Sequence, residues 1–317
     1  MKIRIKQNTE LCLVKLAAAR RLYTISKQAS NAYLMLSVVL VSILTFLSIA
    51  LNSEWAVNYL SIKKLDISNW VAITSIIVLT IDKIILADWI ESAKENAAKI
   101  QEQLDRQLFR FAWNSPLLGS KPAPELIAKH GLWLLDRKGT KPFQDWYPLT
   151  NDSLPLSYQI LICQNACLFW DVNLREKTNT ALLLLGIIIF TTALVSSVLA
   201  DLSVTSAVTN LVALSGPIAD YGYSTYSKNK KSIDSTKRLL NCVSEAITST
   251  EKSHLIEDLH ATCEKIQDQL FLKRKDDWPV PDSLYYILRN SDEKAMSYSS
   301  KELEENLAER LNNIIAK

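Results

Sequence analysis

The chain has 317 residues, of which 48% are hydrophobic, and a formal net charge of +3. A net charge this small does not support binding of bulk nucleic acid, which needs a strongly basic surface. The apolar residues are gathered into blocks of about 20, the length at which a helix crosses a bilayer. Length and composition therefore favour an integral membrane protein over a water-soluble domain.

Four apolar blocks predict four transmembrane helices arranged as two hairpins. The first follows a basic segment of about 30 residues and is longer than the apolar core of a cleaved signal peptide, so we expect a retained span. The second reaches the required length only if it continues through Asp82 and Lys83 to about Ala87, and the fourth is the most polar. In chain order the blocks are 32–51, 69–87, 181–200 and 202–222.

The distribution of lysine and arginine predicts the orientation of these spans. Residues 1–30 contain seven basic side chains and one acidic side chain. In the loops that join each pair of spans, the only basic residues are Lys63 and Lys64. Because cytoplasmic loops carry the excess of positive charge, both termini and the middle segment should be cytoplasmic. The five cysteines then lie in a reducing compartment, where a disulfide framework is not expected.

Helical spacing continues from the hairpins into the cytoplasmic segments. Apolar residues at three-to-four intervals predict that the second span runs on as one helix to about Phe111, that residues 155–180 lead into the third span, and that residues 232–274 are helical. We therefore predict an all-α protein whose cytoplasmic helices form a bundle. The predicted segments are 1–30 (basic helix), 31–87 (first hairpin), 88–180 (cytoplasmic), 181–222 (second hairpin) and 223–317 (cytoplasmic tail).

The stretch before the third span, CQNACLFWDVNLREK (163–177), offers several interpretations. Cys163 and Cys167 lie one helical turn apart, but structural zinc needs four ligands, and their spacing favours packing in a helical core. Asp171 and Arg175 form an i,i+4 pair in the favourable order. Arg175 lies six residues before the span, where it could either reach lipid phosphates or contact an anion.

The fourth block carries polar residues at helical spacing on one face. Polar groups in a bilayer must face protein or water. The stripe could therefore form hydrogen bonds between helices of one bundle, or it could line a pore in an oligomer. Its members are Ser203, Ser206, Asn210, Ala213, Pro217 and Asp220.

No catalytic motif emerges from the sequence. The chain has no G-x-S-x-G, H-E-x-x-H or P-loop pattern, and its three histidines are scattered at 130, 254 and 260. We expect a protein that is not an enzyme and that needs no cofactor. Cationic and aromatic residues do cluster in the cytoplasmic segments, a composition suited to phosphates and nucleobases but also common as basic decoration beside a membrane.

Several stretches together resemble the SMODS-associated four-transmembrane effector family of bacterial CBASS anti-phage systems. They are IQEQLDRQLFRFAWN, DWYP (145–148), CQNACLFWDVNLR, and IQDQLFLKRKDDWPVPDSLYYILR followed by DEKAM. Asn165–Cys167 stands where more basic and polar residues are expected in that family, and Ala112 stands where proline is frequent.

The resemblance implies a multi-pass effector of the bacterial inner membrane that is functionally paired with a nucleotidyltransferase. It would sense a cyclic di- or trinucleotide in the cytoplasm, act as a homo-oligomer and disrupt the lipid bilayer, so that infected cells die. The alternative is a membrane-anchored receptor or scaffold that recruits a partner without forming a pore. The candidate ligand-binding residues are Arg110, Trp113, Arg175, Tyr285 and Arg289, and the candidate pore-lining residues are Ser203, Ser206, Asn210 and Asp220.

Overall fold

The computed structural model describes residues 2–60, 63–81, 84, 87–147, 153–249, 256–277, 280, 298–299 and 301–309, and every regular element in these ranges is a helix. The all-α prediction is confirmed for this part of the chain. The helices are α1 (Ile3–Lys6), α2 (Glu10–Leu34), a π-helical segment (Met35–Leu40), α3 (Val41–Leu51), α4 (Glu54–Leu60), α5 (Ser68–Ile81), α6 (Ala87–Phe109), α7 (Ser115–Leu118), α8 (Pro124–Lys138), a 3-10 turn (Lys141–Phe143), α9 (Leu156–Leu199), α10 (Val204–Ser249) and α11 (Ile256–Asp276).

Among the residues that the structure describes, two continuous helical stretches are long and apolar enough to cross a membrane. They are Glu10–Leu51, which joins α2, the π segment and α3, and Leu156–Leu199, which is α9. Helix α5 is apolar but has only 14 residues. The predicted arrangement of four spans in two hairpins therefore stays a prediction. Helix α9 does confirm that residues 155–180 lead directly into the third apolar block.

Two long helices were predicted with bounds that the structure changes or leaves open. Helix α6 ends at Phe109, not Phe111, because Arg110 adopts a left-handed conformation with φ of 64°. Residues 82–83 and 85–86, between α5 and α6, lie outside the described residues. The predicted helical segment 232–274 is helical where it is described, as the end of α10 and most of α11, and 250–255 lies outside the described residues.

The chain divides into two compact units. Unit 1 comprises Met1–Ser26, Glu91–Glu176 and Lys230–Lys317, and unit 2 comprises Lys27–Ile90 and Lys177–Asn229. Helices α9 and α10 each contribute residues to both units. The predicted hairpin segments 31–87 and 181–222 fall within unit 2.

Unit 1 has an apolar core of the kind found in water-soluble proteins. Buried side chains from α2, α6, α9, α10 and α11 form one cluster, which includes Leu16, Leu104, Leu161, Val243 and Ile266. Residues 160–163 of α9 are all fully buried, so this helix lies at the centre of the unit. The helical spacing that predicted packing faces in α6 and α11 is thus confirmed by the core.

Unit 2 has the opposite distribution of polarity. Large apolar side chains of α3, α5, α9 and α10 are exposed, among them Ile43, Ile76, Ile188, Val208 and Val212. Serine, threonine and asparagine side chains are buried instead. Since a lipid solvent favours apolar surfaces and forces polar groups inward, this distribution is that of a membrane-embedded bundle. The buried polar residues include Ser37, Ser42, Thr45, Ser48, Ser75, Ser197, Ser206 and Asn210.

Pro217 lies inside α10 and leaves a gap in the backbone hydrogen bonding of that helix. Proline has no N–H, so the carbonyl four residues earlier, that of Ala213, loses its helical partner. The hydroxyl of Ser75 in α5 donates a hydrogen bond to this carbonyl oxygen over 2.8 Å. A single polar contact between two helices thus satisfies the group that proline leaves free.

Candidate functional site

Buried polar side chains from two stretches of the chain lie in the interior of unit 2, and we call this set the polar column: Ser37, Thr45, Ser48 and Asn52 from 37–52, and Ser206 and Asn210 from α10. Asn210 is fully buried, and within the described part of the chain neither its amide nitrogen nor its amide oxygen has a protein partner. The buried hydroxyls of Thr45 and Ser48 on α3 likewise have no partner among the described residues. Burying such groups unpaired costs about 1–3 kcal/mol each. Their arrangement therefore favours contact with water or an ion inside the unit.

A carboxylate lies at each end of this column. At one end the Ser206 hydroxyl donates to the Asp66 carboxylate, and the Ser68 backbone N–H donates to the same group over 2.9 Å. Hydrogen bonds from Ser206 and Ser68 lower the pKa of Asp66. At the other end the Tyr33 hydroxyl donates to Asp220 over 2.9 Å. Ser206 and Asp220 are 14 residues apart on α10, which corresponds to about 20 Å at helical rise.

Unit 1 contains a buried ion cluster, formed by Asp171, Arg175, Lys273 and Asp277. Arg175 is 4% exposed, and its guanidinium lies 2.8 Å from Asp171 and 2.9 Å from Asp277. Lys273 bridges the same two carboxylates, at 2.6 Å from Asp277 and in direct contact with Asp171. Although burial favours the neutral acid, Arg175 and Lys273 hold the pKa of Asp171 well below its usual range. This ion cluster connects α9 to α11.

A second buried network of charges joins α6 to α11. Arg106 contacts Glu102 at 2.7 Å and also contacts Asp268. Arg274 contacts Asp105 at 2.6 Å, and Asp105 accepts a 2.6 Å hydrogen bond from the Tyr147 hydroxyl.

The protonation of this network follows from its burial. Gln267 donates to the carboxylates of Glu102 at 2.8 Å and Asp105 at 3.2 Å, which brings the two acids near each other. Burial and the neighbouring Asp105 carboxylate raise the pKa of Glu102 to about 7. Burial and Asp105 also raise the pKa of Tyr147 well above its usual value. The network therefore holds a carboxyl group that can change its charge near neutral pH.

Three of the five predicted ligand-binding residues lie in the described structure, each in different surroundings. Trp113 is half-buried, and its indole N–H donates to the Gly119 carbonyl over 2.9 Å. Arg110 is exposed at the end of α6. Arg175 lies in the ion cluster, where protein carboxylates occupy its guanidinium. Tyr285 and Arg289 lie outside the described residues.

The predicted pore-lining residues lie along one helix and differ in exposure. Ser206 and Asn210 are buried in the interior of unit 2, whereas Ser203 is exposed and its hydroxyl donates to Ser206 over 3.0 Å. Asp220 is half-buried and accepts the hydrogen bond from Tyr33. The buried part of the stripe thus faces the other helices of the same chain.

The cysteines pack as their helical spacing predicted. Cys163 is fully buried in the core of unit 1, and Cys167 packs against that core. Burial raises the pKa of the Cys163 thiol well above its usual value, and burial raises that of Cys263 to about 12. Since the thiolate is the reactive form of cysteine, these side chains act as small apolar residues.

Sequence reasoning missed the half of the polar column that comes from α3. Its members follow one another at intervals of three and four residues, a periodicity that was visible within the first apolar block and one residue beyond it: Ser37, Thr45, Ser48 and Asn52, with Val41 between the first two. It also missed the ion cluster, because Asp171 and its partner Lys273 are 102 residues apart. Nothing local signals that pairing.

The family profile described as "SMODS-associating 4TM effector domain" matches residues 1–303. The chain belongs to this family. A protein of Bacillus cereus strain VD146 named "Probable CBASS effector molecule" is 24% identical over 203 residues, which cover 64% of this chain and 67% of the relative. No solved structure matches the chain. The resemblance to this family drawn from the sequence motifs is confirmed.

Proposed function

We propose that this family member is an anti-phage effector that senses a cyclic oligonucleotide in the cytoplasm and permeabilises the bacterial inner membrane. It would be activated by the product of a partner nucleotidyltransferase, and leakage would stop growth of the infected cell. The observation that carries the proposal is the polar column of unit 2, enclosed by an apolar exterior. Family membership supports the anti-phage context.

In this proposal the chain crosses the membrane four times, with both termini in the cytoplasm. The apolar exterior of α3, α5, α9 and α10 supports four lipid-facing helices, although α5 is short. Lysine and arginine bias supports the orientation. The column lies within one chain, so each protomer of a homo-oligomer would carry its own path.

The polar column supports passage of cations in preference to anions. Hydroxyl and amide oxygens can replace part of the hydration shell of a small cation, and acidic groups at the mouths of a path raise the local cation concentration. Asp66 and Asp220 occupy these positions at the two ends of the column. No arginine or lysine lies among the buried polar residues of unit 2 that the structure describes. We therefore expect potassium to pass more readily than chloride.

Coupling to a cytoplasmic ligand can be carried by helices that belong to both units. Helix α9 holds Asp171 and Arg175 of the ion cluster and continues to Leu199 without a break. Helix α10 holds Asn210 and continues into the core of unit 1. A ligand shifts such an equilibrium only through different affinities for its two states. The ligand would therefore bind the conducting arrangement of these helices more tightly.

The test is ion flux from liposomes that contain the purified full-length protein. A panel of cyclic di- and trinucleotides is added outside, and potassium and chloride release are followed separately. In the variant Asn210→Leu, an apolar side chain replaces the unpaired amide, so potassium flux should fall at least tenfold while nucleotide binding is retained. The matched control is Thr205→Leu, a polar-to-leucine change at an exposed position of the same helix, which should leave the flux unchanged.

Three results would count against the proposal. Equal loss of flux in both variants would mean that Asn210 does not line the path. Faster chloride than potassium release would contradict the role of the two carboxylates. Tight nucleotide binding without any flux would instead favour the alternative function, a membrane-anchored receptor or scaffold.

A further inference from the structure

A tryptophan in unit 1 is held between two arginine side chains. The guanidinium carbon of Arg21, on α2, lies 3.7 Å from the centre of the Trp133 ring, and that of Arg137, on α8, lies 3.6 Å from it. Two guanidinium groups cannot share one face of a ring at such distances. They therefore stack on opposite faces, with their central carbons about 7 Å apart.

This arrangement leaves both cations available to an anion. Within the part of the chain that the structure describes, neither Arg21 nor Arg137 has a carboxylate within ion-pair distance. Stacking uses the flat face of a guanidinium and leaves its N–H edge free for bidentate hydrogen bonds. The ring also restrains both side chains, which lowers the entropy lost when they bind a ligand.

This stack has a lysine on the same helix and is fixed by close packing. Lys129 is exposed on α8, and His130 follows it. Burial and the positive charges of Lys129 and Arg21 lower the pKa of His130. Gly131 brings α8 against α2, because a Cβ atom at this position would lie 2.4 Å from the carbonyl oxygen of Val14. This contact places Trp133 beside Arg21.

We infer that Arg21, Trp133 and Arg137 form a binding site for a phosphate group. The planar N–H edge of arginine matches the oxygens of carboxylate and of phosphate, and a phosphate has enough oxygens to accept hydrogen bonds from both guanidinium groups. The group could belong to a phosphodiester of a soluble cyclic oligonucleotide or to the headgroup of an anionic lipid. If the phosphate belongs to a cyclic oligonucleotide, the inference rests on the proposed function. If it belongs to a lipid headgroup, it does not, and in both cases phosphate binding is independent of ion flux.

The experiment uses full-length protein in neutral detergent and inorganic triphosphate as the probe, with binding followed by calorimetry at low salt. The wild type should bind triphosphate saturably, and Arg21→Gln and Arg137→Gln should each weaken binding about tenfold. Arg137→Lys keeps the positive charge but loses the planar guanidinium that stacks on the ring and donates two parallel hydrogen bonds, so it should weaken binding as well. The matched control is Arg238→Gln, which removes the same charge from an exposed arginine of unit 1 and should change the affinity less than twofold.

Two further arms separate the sources of the phosphate. In nanodiscs of phosphatidylglycerol, a lipid-binding site would show weaker triphosphate affinity than in nanodiscs of phosphatidylcholine, because the headgroup competes. In neutral nanodiscs, a cyclic oligonucleotide that releases ions from liposomes would displace triphosphate if it were the natural occupant.

The inference and the proposed function can fail separately. The site is refuted if Arg238→Gln weakens binding as much as the other variants, or if triphosphate shows no saturable binding. It is also refuted if Arg137→Lys binds triphosphate as well as the wild type, because charge alone would then explain binding. Absence of ion flux from wild-type liposomes would refute permeabilisation and leave triphosphate binding intact.

Discussion

The ion cluster predicts strong thermodynamic coupling between Arg175 and Asp277. In Arg175→Met the two carboxylates of Asp171 and Asp277 keep only Lys273 as a cation. Removing one partner of a buried ion pair costs about 3–5 kcal/mol, and we expect about 3 kcal/mol here because Lys273 contacts both acids. Asp277→Asn leaves two cations on one carboxylate and should also destabilise the unit.

Combining the two substitutions should restore most of the lost stability. The double variant retains one carboxylate, Asp171, and one cation, Lys273, in direct contact. We expect its free energy of unfolding to exceed the additive value by about 2 kcal/mol, within the range measured for contacting residues. Pulse proteolysis of the full-length protein in detergent, over a urea series, measures the free energies of unfolding of the wild type, the two single variants and the double variant.

An exposed ion pair in the same unit serves as the control for this cycle. Lys237 and Glu176 lie 2.8 Å apart with side chains 57% and 47% exposed. Pairs of this kind contribute at most about 1 kcal/mol, so Lys237→Met and Glu176→Gln should show little coupling. Additive effects of Arg175→Met and Asp277→Asn would refute the reasoning. Arg175 would then act through lipid or ligand, as the sequence alternatives proposed.

Three further predictions follow from single buried groups. The pKa of Glu102 is raised from 4.5 to about 7, so the folded state binds a proton that the unfolded state lacks between these values. The contribution of Glu102 to stability should be present in full below pH 4.5 and should be lost, by about 3 kcal/mol in all, as pH rises from 4.5 through 7. Glu102→Gln should remove the resulting difference between urea titrations at pH 5 and pH 8. Ser75→Ala leaves the Ala213 carbonyl without its partner and should cost about 1–3 kcal/mol in thermal unfolding in detergent. Gly131→Ala would place a Cβ atom against the Val14 backbone, so α2 and α8 would have to move apart. This should lower the free energy of unfolding by about 1–3 kcal/mol in the same measurement.

Two of these predictions, those for Ser75 and Gly131, have a control in the chain. Thr74 is only half-buried and its hydroxyl donates to a carbonyl of its own helix, that of Trp70, so Thr74→Ala should be nearly neutral. Gly222 has no atom within 4 Å of a Cβ placed on it, so alanine there should not destabilise α10. A pH slope that persists in Glu102→Gln would assign the titration to another group. Loss of stability in the controls equal to that in the test variants would contradict the contacts described.

The helical class and much of the packing could be predicted from local patterns. Apolar residues at three-to-four spacing placed Leu104 and Ile266 in the core, because a helix brings such residues to one face whatever it packs against. The same spacing placed Cys163 in the core and Asn210 on a polar face. Helix ends were less predictable, since the left-handed residue that stops α6 is an arginine without a local signal.

The sequence by itself determined that unit 2 would carry apolar blocks and a polar stripe and would be flanked by segments with an excess of positive charge, because these are properties of composition and period. Only the tertiary structure decided which charges face each other. Arg175 pairs with Asp277, and Arg21 stacks on Trp133, each across about 100 residues of chain. Such contacts depend on how helices pack, and helical period says which face a residue occupies but not which helix meets that face.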